Sequence, residues 1–193
     1  MRARSLLGGL VLLTALLGSS TVGAPTNAAF RSMERKLNHL KTNAATARPD
    51  QSPTEFSEAE INAYFASGGV KLPVGIRSVS FQEQPGIVSA TARVDFDQLK
   101  AGRSSMNPLL ELFSGVHDAV VVAHAFGAGG QGAVQVDSVA LDGVVVPQFL
   151  LQLFVEKFIQ PKYPDIGLDS RFALPERIDT ATVGLHKLAV TQK

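Results

Sequence analysis

The chain has 193 residues, 18 basic against 17 acidic, no cysteine and 45% hydrophobic residues. Without cysteine, disulfides, thiolate metal sites and a lipidated N-terminal Cys are excluded, and the near-neutral charge offers no basic patch of the kind that meets nucleic acid. This length suits one domain with a real core plus an arm; two domains would be cramped.

Residues 1–24 carry Arg2 and Arg4, an apolar run and then small residues, the order expected of a secretory signal peptide. The expected compartment is periplasmic or otherwise extracytoplasmic, and removal of 1–24 would leave 16 basic against 17 acidic residues. Residues 25–53 read as a basic amphipathic arm and linker. Phe30, Met33, Leu37 and Leu40 form an apolar seam at steps of three and four, beside Arg31, Arg35, Lys36 and Lys41. Two uses of the seam stay open, packing on its own domain or peripheral contact with an anionic membrane.

The main domain, 54–193, opens on FSEAEINAYF, where Ser57 and Glu60 have capping-box spacing and Phe56 can staple against Ile61. Gly68 and Gly69 stop that helix. Alternation then predicts strands over 76–82 and 87–96 around a Gln84-Pro85-Gly86 turn. Asn107 and Pro108 are placed to start a short helix. The segment 118–141 reads as a hairpin turning on its glycines, with Phe126 opposite Gln135, His124 opposite Asp137, Val122 opposite Val139 and Val120 opposite Leu141. Both faces of this hairpin are apolar, so two coverings are expected. Residues 146–161 predict a helix between Pro147 and Pro161, apolar on most sides apart from a thin stripe of Gln148, Gln152, Glu156 and Gln160. At about 20 Å it is too short for a bilayer core of about 30 Å. A last strand pair is expected in RIDTATVGLHKLAV.

The order of FSEAEINAYF, LPVGIRSVSFQ, IVSATARVDFDQL, LDGVVVP, the apolar helix and LPERI resembles the tubular lipid-binding (TULIP-like) superfamily, including its exported bacterial envelope members. The resemblance implies an α+β fold in which a strongly curved antiparallel sheet wraps a long apolar helix; the short N-terminal amphipathic helix read at 30–45 is no part of that pattern. It implies an exported envelope protein that binds a lipid in an apolar tunnel and is suited to carrying it between membranes. The alternative is a non-enzymatic envelope scaffold whose groove holds a protein segment. Expected lining residues are Phe149, Leu150, Leu153, Phe154 and Phe158 on the helix, with Val122, Phe126 and Val139 opposite.

Catalytic and metal chemistry finds little support. His39, His117, His124 and His186 lack ligand spacing, and no cofactor or metal is expected. His124 with Asp137 could hold a base but reads better as a hydrogen-bonded polar spot, with Ser138 expected on the opposite face. GAGGQG has no following helix and reads as hairpin turn rather than phosphate cradle. Asp95 and Asp97 read as strand-end turn residues. The chain is therefore expected not to be an enzyme.

Overall fold

A computed structural model of the chain describes residues 28–100 and 108–193; the expected signal peptide over 1–24 and the expected Asn107 cap lie outside them. Helix α1 (Ala28–Ala44) is followed by β1 (Thr54–Ser57), α2 (Glu58–Ala66), the hairpin β2 (Ile76–Gln84) and β3 (Ile87–Asp95), and one turn of helix, α3 (Phe96–Leu99). A 3-10 turn (Pro108–Phe113) leads to β4 (Val116–Ala128), β5 (Gln131–Leu141), the two-residue β6 (Val144–Val145) and α4 (Gln148–Phe154), which continues as a π turn over Val155–Ile159. Strands β7 (Asp169–Ala173), β8 (Ile178–Gly184) and β9 (Lys187–Gln192) close the chain.

The strands form one antiparallel sheet in the order β1-β9-β8-β4-β3-β2, with β5 pairing β4, β6 and β7. The long β4 organises it. Along one edge β4 pairs with β3 as far as His124, opposite Ile87. The Pro85-Gly86 turn then fills the gap: Ala125 N–H donates to Gly86 C=O and Gly86 N–H donates to Val183 C=O, both at 3.0 Å. Beyond it β8 takes over, with Phe126 opposite Thr182 and Gly127 opposite Ala181.

Local signals explain most of the elements. Ser57 and Glu60 make the reciprocal capping box of α2, and Phe56 and Ile61 are buried together beneath it. Gly129 and Gly130, with φ of 61° and 78°, form the two-residue β4–β5 turn that requires left-handed backbone at both positions.

Val88 and Val94 lie an even number of residues apart on β3, as do Ala119 and Ala125 on β4, so each pair shares a sheet face. That face carries two apolar clusters. Helices α1 and α2 cover one end with Met33, Leu40, Ile61 and Phe65, packed on Phe56, Phe81, Val88, Ala125, Val183, Leu188 and Val190. Helix α4 and its π turn cover the other with Leu150, Leu151, Phe154 and Phe158, packed on Val94, Phe96, Phe113, Ala119 and Leu141.

The expected architecture, a sheet wrapped around a long apolar helix, is overturned. The longest described helix is α1, with 17 residues, and α4 with its π turn covers one end of one sheet face. A helix can be apolar on most sides without being encircled. Leu150, Leu151, Phe154 and Phe158 are buried, Leu153, Val155 and Ile159 are half-buried, and Phe149 stays 63% exposed. The sheet covers α4 from one direction, while Phe96 after β3, Phe113 from the 3-10 turn and Leu168 before β7 cover the others. Nor are both faces of the β4–β5 hairpin coated: among the described residues His124 and Phe126 are exposed on its second face, with Val120 and Val122 half-buried between strands.

Helix α1 belongs to the domain. Lys36 Nζ donates to Glu60 Oε2 at 2.6 Å, Phe30 stacks on Tyr64 at 5.5 Å, and Asn43 Nδ2 donates to Gln192 Oε1 at 2.7 Å. Gln192 in turn donates to the carbonyls of Leu40 and Glu176. The apolar seam proposed for a membrane is thus largely inside: Met33 and Leu40 are buried and Leu37 packs on the first cluster. Arg31, Arg35 and Lys41 lie on the exposed side.

Candidate functional site

Where β4 passes from β3 to β8, the first cluster opens into a cleft lined by Ala125, Phe126, Gly132, Val134, Phe172 and Leu174, with Ala133, Ala181, Val183 and Leu188 completing it. Its lining carries no charged side chain. Two glycines let its walls approach closely. Gly127 and Gly132 are register partners across the hairpin, and the space their missing side chains leave is occupied from β7 and the segment after it. A Cβ on Gly132 would fall 2.6 Å from the Phe172 ring, and one on Gly127 would fall 2.8 Å from Ala181 Cβ and 2.9 Å from Leu174 Cδ1. The GAGGQG run therefore serves both the turn and this close approach. The cavity volume is about 20 Å³, roughly the room one water needs.

Replacing Gly127 with Val is expected to destabilise the protein by about 1–3 kcal/mol, because Ala181 is fixed by its own strand pairing and cannot yield. Thermal melting of the variant checks this. An unchanged midpoint would mean that β4 and β8 are not held as close as described.

Beside the cleft, at the β2–β3 tip, lies a polar corner within an apolar cluster. Glu83 is 2% exposed, and among the described residues neither carboxyl oxygen has a hydrogen-bond partner. Its backbone is held firmly. Glu83 N–H donates to Glu58 Oε2 at 3.2 Å, and His186 N–H donates to Glu83 C=O at 3.0 Å. The same Glu58 oxygen pairs with His186 Nδ1 at 2.8 Å. Burial, then the neighbouring Glu58 carboxylate, push the Glu83 carboxyl up to about 7. Glu58, hydrogen-bonded by His186, is held below the usual range.

Two further histidine pairs lie on the sheet. His124 and Asp137 do meet, at 2.9 Å, although His124 is paired in register with Gln135. A bulge explains this. The register shifts between Val122 and Ala123, leaving Asp137 as the extra residue, and Ser138 then stands opposite Val122 on the same outer face as Asp137, contrary to simple alternation. His117 Nδ1 pairs with Asp142 at 2.6 Å and Nε2 with Ser114 C=O at 2.7 Å. These acceptors, Asp142 first, raise the His117 pKa, and both nitrogens are used within the fold. Among the described residues no group of three or more His, Asp or Glu could hold a metal ion.

The expected lining set is divided. Leu150, Leu153, Phe154, Phe158 and Val139 belong to the second cluster, the α4 end. Phe149 is exposed, and Val122 lies on the outer face. Of that set only Phe126 borders the cleft, by its place on β4, while its side chain lies on the outer face with Val122 and is 65% exposed. Phe172, Leu174, Ala181, Val183 and Leu188 line the cleft outside that expected set, and Glu83 stands beside it. The facing glycines hinted at the first two, and the alternation Val79, Phe81, Glu83 already put the carboxyl on the buried face.

Fold and cleft define a protein built on a nine-stranded antiparallel sheet with helical covers at both ends of one face and an apolar opening at a strand junction. No protein-family model, no curated protein and no solved structure matches the chain. Among the described residues no helix is long and apolar enough to cross a membrane.

Proposed function

We propose that this chain is an exported, non-enzymatic protein that binds an apolar ligand, a lipid acyl chain or a comparable hydrocarbon, at the cleft between β4 and β8. The observation that carries this reading is the cleft lining itself: apolar side chains and glycine, beside a sheet junction held by two residue pairs. Ligand sites are concave and mainly apolar. The resting cavity is far smaller than an acyl chain, so binding requires the junction to widen. The signal-peptide-like residues 1–24 support export.

Mass spectrometry of organic extracts from protein purified without detergent, with titration by a neutral fluorescent acyl probe, tests the proposal. Co-purified lipid or saturable probe binding is expected; neither being found rejects it. Leu174→Ala should weaken probe binding roughly five-fold, since about 1 kcal/mol of apolar contact with the ligand is lost. Equal affinity would move the site away from this cleft.

A second reading, a scaffold for a protein segment, is favoured by one feature. Among the described residues strand β6 pairs only with β5, and it carries Val144 and Val145 exposed, near exposed Phe149, which offers an apolar edge for strand addition. Loss of a captured partner on Val145→Pro, with probe binding intact, would support that reading.

A further inference from the structure

The β2–β3 tip closes the cleft on one side, because Gly86 is bonded to both Val183 and Ala125 and these two residues line it. The tip stands on the Glu58, Glu83 and His186 corner. We propose that Glu83 is a proton-operated latch, which holds the tip closed while its carboxyl is neutral and releases it when the carboxyl ionises, widening the apolar cleft. This deepens the ligand-binding reading and, for the ligand alone, rests on it.

The charges around Glu83 explain the direction. From α2, Glu58 presents a carboxylate, and from the β8–β9 turn His186 presents its imidazole, already engaged with Glu58. Lys187, next to His186 in the chain, is paired with Glu55 at 2.7 Å, and Lys36 of α1 with Glu60. Its partner across the hairpin, Val88, and its strand neighbour Phe81 are apolar and buried. A neutral carboxyl is tolerated in such a place, whereas an unpaired carboxylate is costly. Ionisation can be accommodated by moving the tip outward, which takes Glu83 to water and away from Glu58.

The sign follows from linkage. A carboxyl whose folded pKa is raised favours the closed state most at pH below its ordinary value of 4.5; that advantage declines as pH rises and is gone above about 7. The tip should open as pH rises through neutrality. His117 also loses stabilisation with rising pH, but it lies at the far end of β4, so a residue-resolved readout separates the two.

Hydrogen exchange of the full chain without ligand, at about pH 5 and about pH 9 and corrected for intrinsic exchange, should show the amides of Gly86, Ala125 and His186 opening on the order of a hundred-fold more readily at the higher pH. Glu83→Gln keeps the neutral shape and should abolish that difference. Equal pH dependence in wild type and Glu83→Gln, or none in the wild type, overturns the latch. If Glu83→Gln fails to fold, carbon-13 NMR of the wild-type Glu83 carboxyl decides: its midpoint must coincide with tip opening, and titration at about 4–5 overturns the proposal. The neutral acyl probe separates the latch from the function. Tip opening without probe binding at either pH keeps the latch and rejects the ligand reading, whereas equal binding at both pH values keeps the ligand reading and rejects the latch as its control.

Discussion

Phe158→Ala is expected to cost about 3–5 kcal/mol and to lower the melting temperature by roughly 10 °C, while Phe149→Ala, nine residues earlier on the same apolar helix, should change stability by less than about 0.5 kcal/mol. Phe158 is 1% exposed. It ends a run of ring contacts in which Phe154 lies 5.2 Å from Phe158, 4.3 Å from Phe113 and 5.5 Å from Phe96. Removing the last ring leaves a void that α4 closes only in part, because its π turn is held by its own ladder, with Gln160 N–H bonded to Val155 C=O. Equal losses from both variants, read by thermal melting, would show that the helix is surrounded after all and not covered from one side.

Deleting α1 should have an effect of similar or greater size. A chain beginning at Gln51 loses the burial of Met33, Leu37 and Leu40, together on the order of 5 kcal/mol, against a total stability of about 5–15 kcal/mol for a domain. It also leaves Gln192 without its Leu40 and Asn43 partners and Glu60 without Lys36. Burial acts to raise the Glu60 carboxyl, but hydrogen bonds from Lys36, Ser32 and Ser57 N–H outweigh it and bring it down to about 2. This contribution is present above the ordinary carboxyl value of 4.5 and is lost as pH falls toward 2. Circular dichroism of the truncated chain should show a broad, uncooperative transition or a much lower midpoint. A midpoint within a few degrees of the full chain would mean that α1 is a detachable arm. In the full chain, any membrane contact by this helix has to use its exposed Arg31, Arg35 and Lys41 side unless the helix leaves the domain, and liposome flotation of both chains in low and high salt reads that contact.

The latch, the cleft and these two packing tests depend differently on the sequence. The capping box of Ser57 and Glu60, the Pro85-Gly86 turn, the strands on either side of it and the helix between Pro147 and Pro161 were all legible, because each is decided within a few residues: a side chain reaching a nearby N–H, a glycine able to take positive φ, a proline unable to continue a helix. Even the buried place of Glu83 is written in its spacing from Val79 and Phe81. Which partner covers each apolar side was decided only by tertiary structure. The composition of the 146–161 helix says how much surface must leave water, not from which direction the cover comes, and the cover here arrives from Phe96, Phe113 and Leu168 as well as from the sheet. A period of two identifies the faces of β4 and β5, but the bulge that leaves Asp137 unpaired and brings it to His124 depends on the register the whole sheet adopts. The glycines at 127 and 132 signal only that something approaches closely; that it is Ala181, Leu174 and the Phe172 ring follows from where β7 and β8 pack, because burial is a property of partners distant in the chain.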